Sequence, residues 1–172
     1  MKSILTALIG FVASLSVAGL PFVAVAQPDP LINVTVAFGT GVNTDNATPS
    51  PPENHAIHPE EIIIRQGGTV HFVVSGFHHI VVFQRGIRLE SLQASGPAPF
   101  LNDPNQPVYY NGFNPGPPGP SNPLATPVPA GYSGARNRVE SVYFDRPGVY
   151  LVICNVLPHL NDGMFAHVRV LP

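Results

Sequence analysis

The chain has one cysteine, Cys154, and one lysine, Lys2. A single thiol allows no internal disulfide. Cys154 is therefore a bridge to another chain, an inert buried thiol or a functional thiol, and its neighbourhood must decide. Charge is scarce as well, with 8 Lys and Arg against 10 Asp and Glu in 172 residues. No basic stripe is available for a nucleic acid or an anionic membrane to grip, so nucleic-acid binding is excluded. No internal repeat is visible. After Ala26 no stretch keeps a helical apolar period for three turns, and no apolar run is long enough to span a bilayer.

The one long apolar run is at the start. Met1-Lys2-Ser3 leads into Ile4 to Ala26, ending Ala24-Val25-Ala26 before Gln27. A lone positive charge, an apolar stretch and an Ala-x-Ala ending predict a secretory signal peptide over residues 1–26. Gly19 and Pro21 break the helix that a retained anchor would need, and the absence of Cys from the run excludes a lipoprotein anchor. Cleavage would leave 27–172, which suits one domain with its own core. It would carry seven Arg against ten acidic residues, a formal charge of about −3. The expectation is an exported, periplasmic or extracellular protein.

The remaining signals are short and β-like. Leu31 to Phe38 alternates, with Ile32, Val34, Val36 and Phe38 on one face. Glu61 to Arg65 is a second run, followed by a turn at Gly67-Gly68. Thr69 to Ser75 alternates through Val70, Phe72 and Val74. Ile80 to Phe83 is continuously apolar. Val139 to Phe144 alternates again, Arg146-Pro147-Gly148 marks a turn, Val149 to Cys154 is apolar throughout, and Phe165 to Leu171 closes the chain. Short β-branched strands punctuated by Gly and Pro predict an all-β sandwich or barrel. Ser95 to Gly134 is dense in Pro, Gly and Asn and cannot be a central strand. Within it Val108-Tyr109-Tyr110 and Phe113 are candidates for a short edge strand or a pin to the body. We read this segment, and the polar stretch from Gly39 to Asn54, as insertions on one domain that add little core.

Between the last two predicted strands lie Cys154, His159 and Met164. A thiolate and an imidazole are strong in-plane donors to copper, and a thioether is a weak, long axial one. Three such donors on one inter-strand loop leave one ligand to come from elsewhere. Gly76 to Phe83, with His78 and His79 at the head of an apolar strand, can supply it. Taken singly, each residue has a bland explanation: a buried thiol, a core Met, a satisfied His. Together the four types fall in order at metal-ligand spacing.

This pattern resembles the cupredoxins of the plastocyanin and azurin kind, which carry a His at the start of an apolar strand and a Cys…His…Met loop before the final strand. The resemblance spans about Asn33 to Leu171, with its motif residues in Gly76 to Phe83 and Tyr150 to Val170. It implies a Greek-key β-sandwich, the cupredoxin fold, holding one copper ion (Cu+/Cu2+) through His78, Cys154, His159 and Met164, with His79 as the alternative to His78. A polar residue usually follows the ligand His and braces the ligand loop. With His78 as ligand, His79 takes that place. The resemblance also implies that His159 sits near the surface, where Leu157, Pro158, Leu160 and Phe165 would form an apolar docking patch for redox partner proteins.

Four protein ligands leave no open metal position, which a catalytic metal normally keeps. The expectation is therefore a monomeric one-electron carrier and not an enzyme. The competing reading is a copper carrier or storage module without a redox partner. Copper oxidases and nitrite reductases use His-x-His and His-Cys-His arrangements, which are lacking here, and a binuclear centre needs a second Cys. His55, His58, His71 and His167 carry no such support. His55-Ala56-Ile57-His58 reads as a polar loop before it reads as a second metal site.

Overall fold

The computed structural model describes residues 31–39, 54–94, 100–101, 103, 105–116 and 137–172. The expected signal peptide, the start at Gln27, the polar stretch 40–53 and most of the Pro/Gly-rich segment lie outside the described residues. Among the described residues eight strands follow in order: β1 (Leu31–Phe38), β2 (Ile57–His58), β3 (Glu61–Ser75), β4 (Ile80–Phe83), β5 (Val108–Asn111), β6 (Asn137–Phe144), β7 (Gly148–Cys154) and β8 (Phe165–Leu171). One short helix, α1 (Leu157–Asn161), stands between β7 and β8, and a 3-10 turn covers Leu89–Ser91.

The organising element is β3. The sequence suggests two strands with a turn at Gly67-Gly68, but the chain runs on as a single strand of 15 residues. Its first stretch, Glu61 to Arg65, pairs in parallel with β8. Its second pairs antiparallel with β6 from Gly68 to Ser75 and parallel with β1 from Thr69 to Val74. The glycine pair bends the strand without ending it. Gly67 has φ +81°, and a Cβ on Gly68 would lie 2.5 Å from the Ile32 carbonyl oxygen, so the backbones pass too closely for a side chain.

β3 thereby feeds two layers. One contains β2, β1, the second half of β3 and β6. The other runs from the first half of β3 through β8, β7 and β4 to β5. Their inner faces meet in one core: Val36, Phe38, Phe72, Val74, Val142 and Phe144 from the first, and Ile62, Ile64, Val82, Tyr150, Val152 and Val168 from the second. Each such side chain contributes roughly 1.5–3 kcal/mol by leaving water. The architecture is the expected all-β sandwich. Ile32 departs from the expected face and is 60% exposed, because a register shift between Leu31 and Asn33 moves the start of β1 out of phase with its buried half.

The two continuous apolar runs have a plain cause: β4 and β7 are covered on both faces. Inward residues join the main core. Val81, Phe83, Leu151 and Ile153 form a second cluster on the outer side, under Leu101, Leu89, Leu92, Leu157 and Phe165. This corrects the reading of the Pro/Gly-rich segment as adding little core. Phe100 and Leu101 are each 3% exposed, Phe100 bridges to Val156, and Val108–Asn111 adds β5 to the free edge of β4. The Pro and Gly density masks these short apolar insertions.

Candidate metal centre

The two inner strands β4 and β7 pair antiparallel with Ile80 opposite Cys154. This register sets the residues just before β4 beside the last residue of β7. From Cys154 the chain turns through α1, which has Pro158 in its first turn, and returns at Met164. Cys154 N–H donates to Met164 O at 3.0 Å, and Met164 N–H donates to His159 O at 3.0 Å. The loop is thus closed on itself by main-chain bonds, with its three candidate donors at fixed separations.

His78 Nδ1 lies 3.7 Å from Cys154 Sγ, His159 Nδ1 lies 3.6 Å from it, and the two imidazole nitrogens are 3.0 Å apart. His78, Cys154 and Met164 are 0% exposed and His159 is 8% exposed. His78, Cys154 and His159 are the only group of metal-capable His, Cys, Asp or Glu side chains among the described residues, with ligand atoms all within 4.8 Å of one another. The other nitrogen of His78, Nε2, is buried without a hydrogen bond. It faces Gly39, where a Cβ would come within 2.7 Å of it. Gly39, at φ +91°, therefore leaves room for His78 to turn Nδ1 towards the thiol.

His79 points elsewhere. Its Nε2–H donates to Asn111 Oδ1 at 2.9 Å, and its Nδ1 accepts from Asn155 Nδ2 at 3.1 Å. Asn155 N–H donates in turn to His79 O at 2.8 Å. His79 is a crossbar from β5 to the residue after Cys154. Behind His78, Arg138 of β6 donates to the carbonyls of His78 and Phe113, each at 2.9 Å. Arg138 is held by Glu140 at 2.6 Å, and Glu140 also accepts from Tyr110 O–H at 2.8 Å. These braces had no sequence signal: Glu140 sits in an alternating strand where a solvent-facing charge is the default.

His159 departs from what the resemblance implies. It is buried, because the ring of His55 stacks on it with centroids 3.7 Å and planes 22° apart. Leu157, Leu160 and Phe165 are half-buried and pack against the second apolar cluster. His55 and His58 do not act together either, since His58 lies exposed on β2 while His55 turns inward. His71 bonds Ser141 on the outer face at 2.8 Å.

Burial sets the electrostatics. It pushes the Cys154 thiol up to about 12. It pulls His78 down to about 3, with His159 and His55 adding repulsion, and His159 down to about 4, with His55 adding to the effect. A neutral thiol and two neutral imidazoles thus face one another. A thiophilic cation that displaces the thiol proton satisfies all three at once. A thiolate and two imidazoles beside a buried thioether are the donor chemistry of one copper ion, and the residues present fit it.

His79 yields a pH prediction. Burial lowers it to about 4, while in the unfolded chain it takes a proton near 6.5. Between these values the unfolded state binds more protons. Stability present above pH 6.5 is therefore lost as pH falls to about 4, by about 3 kcal/mol from His79 alone. Urea unfolding of the metal-free protein at pH 7.5 and 4.5 measures this, and equal stabilities would contradict the buried neutral His79.

No family model matches this sequence, and no curated protein matches it. Solved structures do resemble it. Auracyanin from the photosynthetic bacterium Roseiflexus castenholzii, in its dithionite-reduced form, aligns at 19% identity over 83% of this chain and 99% of its own, with a TM-score of 0.48. A pseudoazurin from Sinorhizobium meliltoi aligns at 17% over 81% of this chain and 74% of its own, with a TM-score of 0.41. A copper-containing nitrite reductase from Thermus scotoductus aligns at 17% over 87% of this chain but only 25% of its own, with a TM-score of 0.38. These are distant likenesses, and the functional reading stands on this chain's own donor geometry.

Proposed function

We propose that this protein is a cupredoxin acting as an exported one-electron carrier, whose copper would be held by His78, Cys154, His159 and Met164. The observation that carries this reading is the convergence of one thiol and two imidazole Nδ1 atoms, within 4.8 Å, in a closed pocket. When bound, copper supplies one-electron exchange between Cu(I) and Cu(II). The protein's own residues do the rest. The loop bonds among Cys154, His159 and Met164 keep the donors in place, so little must move when the charge changes. The apolar walls exclude water. The crossbar of His79 with Asn111 and Asn155 fixes the segment that bears Cys154, and we assign His79 this bracing role and His78 the ligand role. With four protein donors no position stays open for a substrate, which favours a carrier over an enzyme.

The reading is tested at Met164. The oxidised, copper-loaded protein should show an intense visible band, and Met164→Leu should keep it. That change should raise the reduction potential, because it removes donation that favours Cu(II) and still keeps water out. Met164→Gln should lower it, because an amide oxygen is a harder donor. Shifts of the same sign in both variants would remove Met164 from the site. Copper that exchanges with a chelator within seconds would favour the carrier or storage module instead.

Export is the second part of the proposal. The signal-like 1–26 segment supports it, and among the described residues no helix is long and apolar enough to cross a membrane. Residues 27–172 would then form the working domain, monomeric and docking redox partner proteins at the pole that holds His159. Protein recovered from the exported fraction should have the intact mass of a chain beginning at Gln27. A species that retains Met1 to Ala26 in the membrane would refute cleavage.

A further inference from the structure

We propose that His55, tethered by Asp162, is the outer wall of the copper site: it closes the face of His159 to water, small ligands and chelators, and holds that ring in place. The inference rests on the copper reading above but concerns residues outside the proposed ligand set. The His55 ring lies 3.7 Å from the His159 ring at 22° and meets the His78 ring edge-on at 6.1 Å and 86°. No layer of water fits in a stack at that spacing. This cover accounts for the burial of His159, whose position between two strand ends would otherwise open it to solvent.

The wall is anchored from both sides. On one side Gly39 N–H donates to Ala56 O at 2.8 Å, and β2 pairs with β1 through Ile57 and His58. On the other, His55 Nδ1–H donates to Asp162 Oδ2 at 2.6 Å, across 107 residues of sequence. Asp162 caps α1, the helix that carries His159. The tether therefore joins the cover to the loop it covers. His55 Nε2 is buried with no hydrogen bond, a cost that a phenyl ring in the same place would avoid. What imidazole adds is the bond to Asp162. His55 is not a further ligand in this arrangement, since it is absent from the group whose ligand atoms all lie within 4.8 Å of one another.

The experiment compares wild type, His55→Ala, His55→Phe and Asp162→Asn, each loaded with copper. Copper capture by EDTA is followed at the visible band, and imidazole is titrated against the oxidised protein by electron paramagnetic resonance. His55→Ala should speed capture by about tenfold or more and let imidazole alter the spectrum. His55→Phe keeps the stacked face and should stay near wild type, and Asp162→Asn should fall between. A second readout needs no copper. In the metal-free protein, diethylpyrocarbonate should modify His159 faster in His55→Ala than in wild type, as located by mass spectrometry. Wild type without a visible band, but with this difference intact, would sink the copper reading and leave the wall standing. Equal capture and equal His159 modification in His55→Ala and wild type would overturn the wall. If His55→Ala does not fold, Asp162→Asn decides by the same measurements, and wild-type values there overturn the tether.

Discussion

Cys154→Ala is expected to abolish the visible band of the copper-loaded protein completely. The Cys154 thiolate would be the soft donor whose charge transfer to Cu(II) gives that band, and the sequence has no second thiol to replace it. Cys154 is 0% exposed at the end of β7, and alanine at that place leaves a small cavity but no unpaired polar group, so the fold should survive. His78→Ala should remove the band as well. His79→Ala should only perturb it, because its bonds run to Asn111 and Asn155. Copper binding must also displace a thiol proton held up to about 12 by burial, so affinity should fall as pH is lowered. Absorption spectra of the three variants at matched copper loading are the measurement. An unchanged band in Cys154→Ala would end the blue-copper reading, and loss in His79→Ala with retention in His78→Ala would exchange the two histidines' roles.

Glu140→Gln is expected to cost roughly 3–5 kcal/mol of folding stability, the range for breaking a buried ion pair from one side. Glu140 is 7% exposed and faces Arg138, whose side chain is 13% exposed, at 2.6 Å. Neutralising the carboxylate removes the counter-charge of the guanidinium, which keeps the neutral carbonyls of His78 and Phe113 as acceptors. It also weakens the acceptor for Tyr110 O–H and Phe113 N–H. Because Arg138 grips the carbonyl of His78, the loosening reaches the site: the copper-loaded variant should show a shifted visible band in addition to its lower urea midpoint. The paired replacement Arg138→Met with Glu140→Leu should recover much of the stability, since no buried charge is then left alone. A midpoint for Glu140→Gln within error of wild type would mean that the pair is solvated and contributes nothing.

Much of this protein is legible in its sequence. Alternation at Val70, Phe72 and Val74 marks a strand with one buried face, and the unbroken runs Ile80 to Phe83 and Tyr150 to Cys154 mark stretches buried on both. Donor chemistry is a property of residue type, so Cys154, His159 and Met164 on one inter-strand loop already speak of a soft metal. The choice between His78 and His79 was open because adjacent residues differ only in direction, and direction is a matter of backbone geometry. Phe100 and Leu101 were hidden by their Pro-rich surroundings, since a period cannot be read from two residues. Glu140 and Arg138 were invisible for a related reason: burial of a charge depends on what packs over it, and here that is β5 and residue 113, far along the chain. His55 is the clearest case. It stands 104 residues from the ring it stacks against, and no local pattern connects them. Sequence by itself determines the strands, their buried faces and the chemistry of the donors, because these follow from side-chain type and short-range periodicity. Which imidazole turns to the thiol, what shields His159 and which charges are buried are decided only when β3 bends at Gly67-Gly68 and the two layers close. Those contacts join residues that the chain keeps far apart.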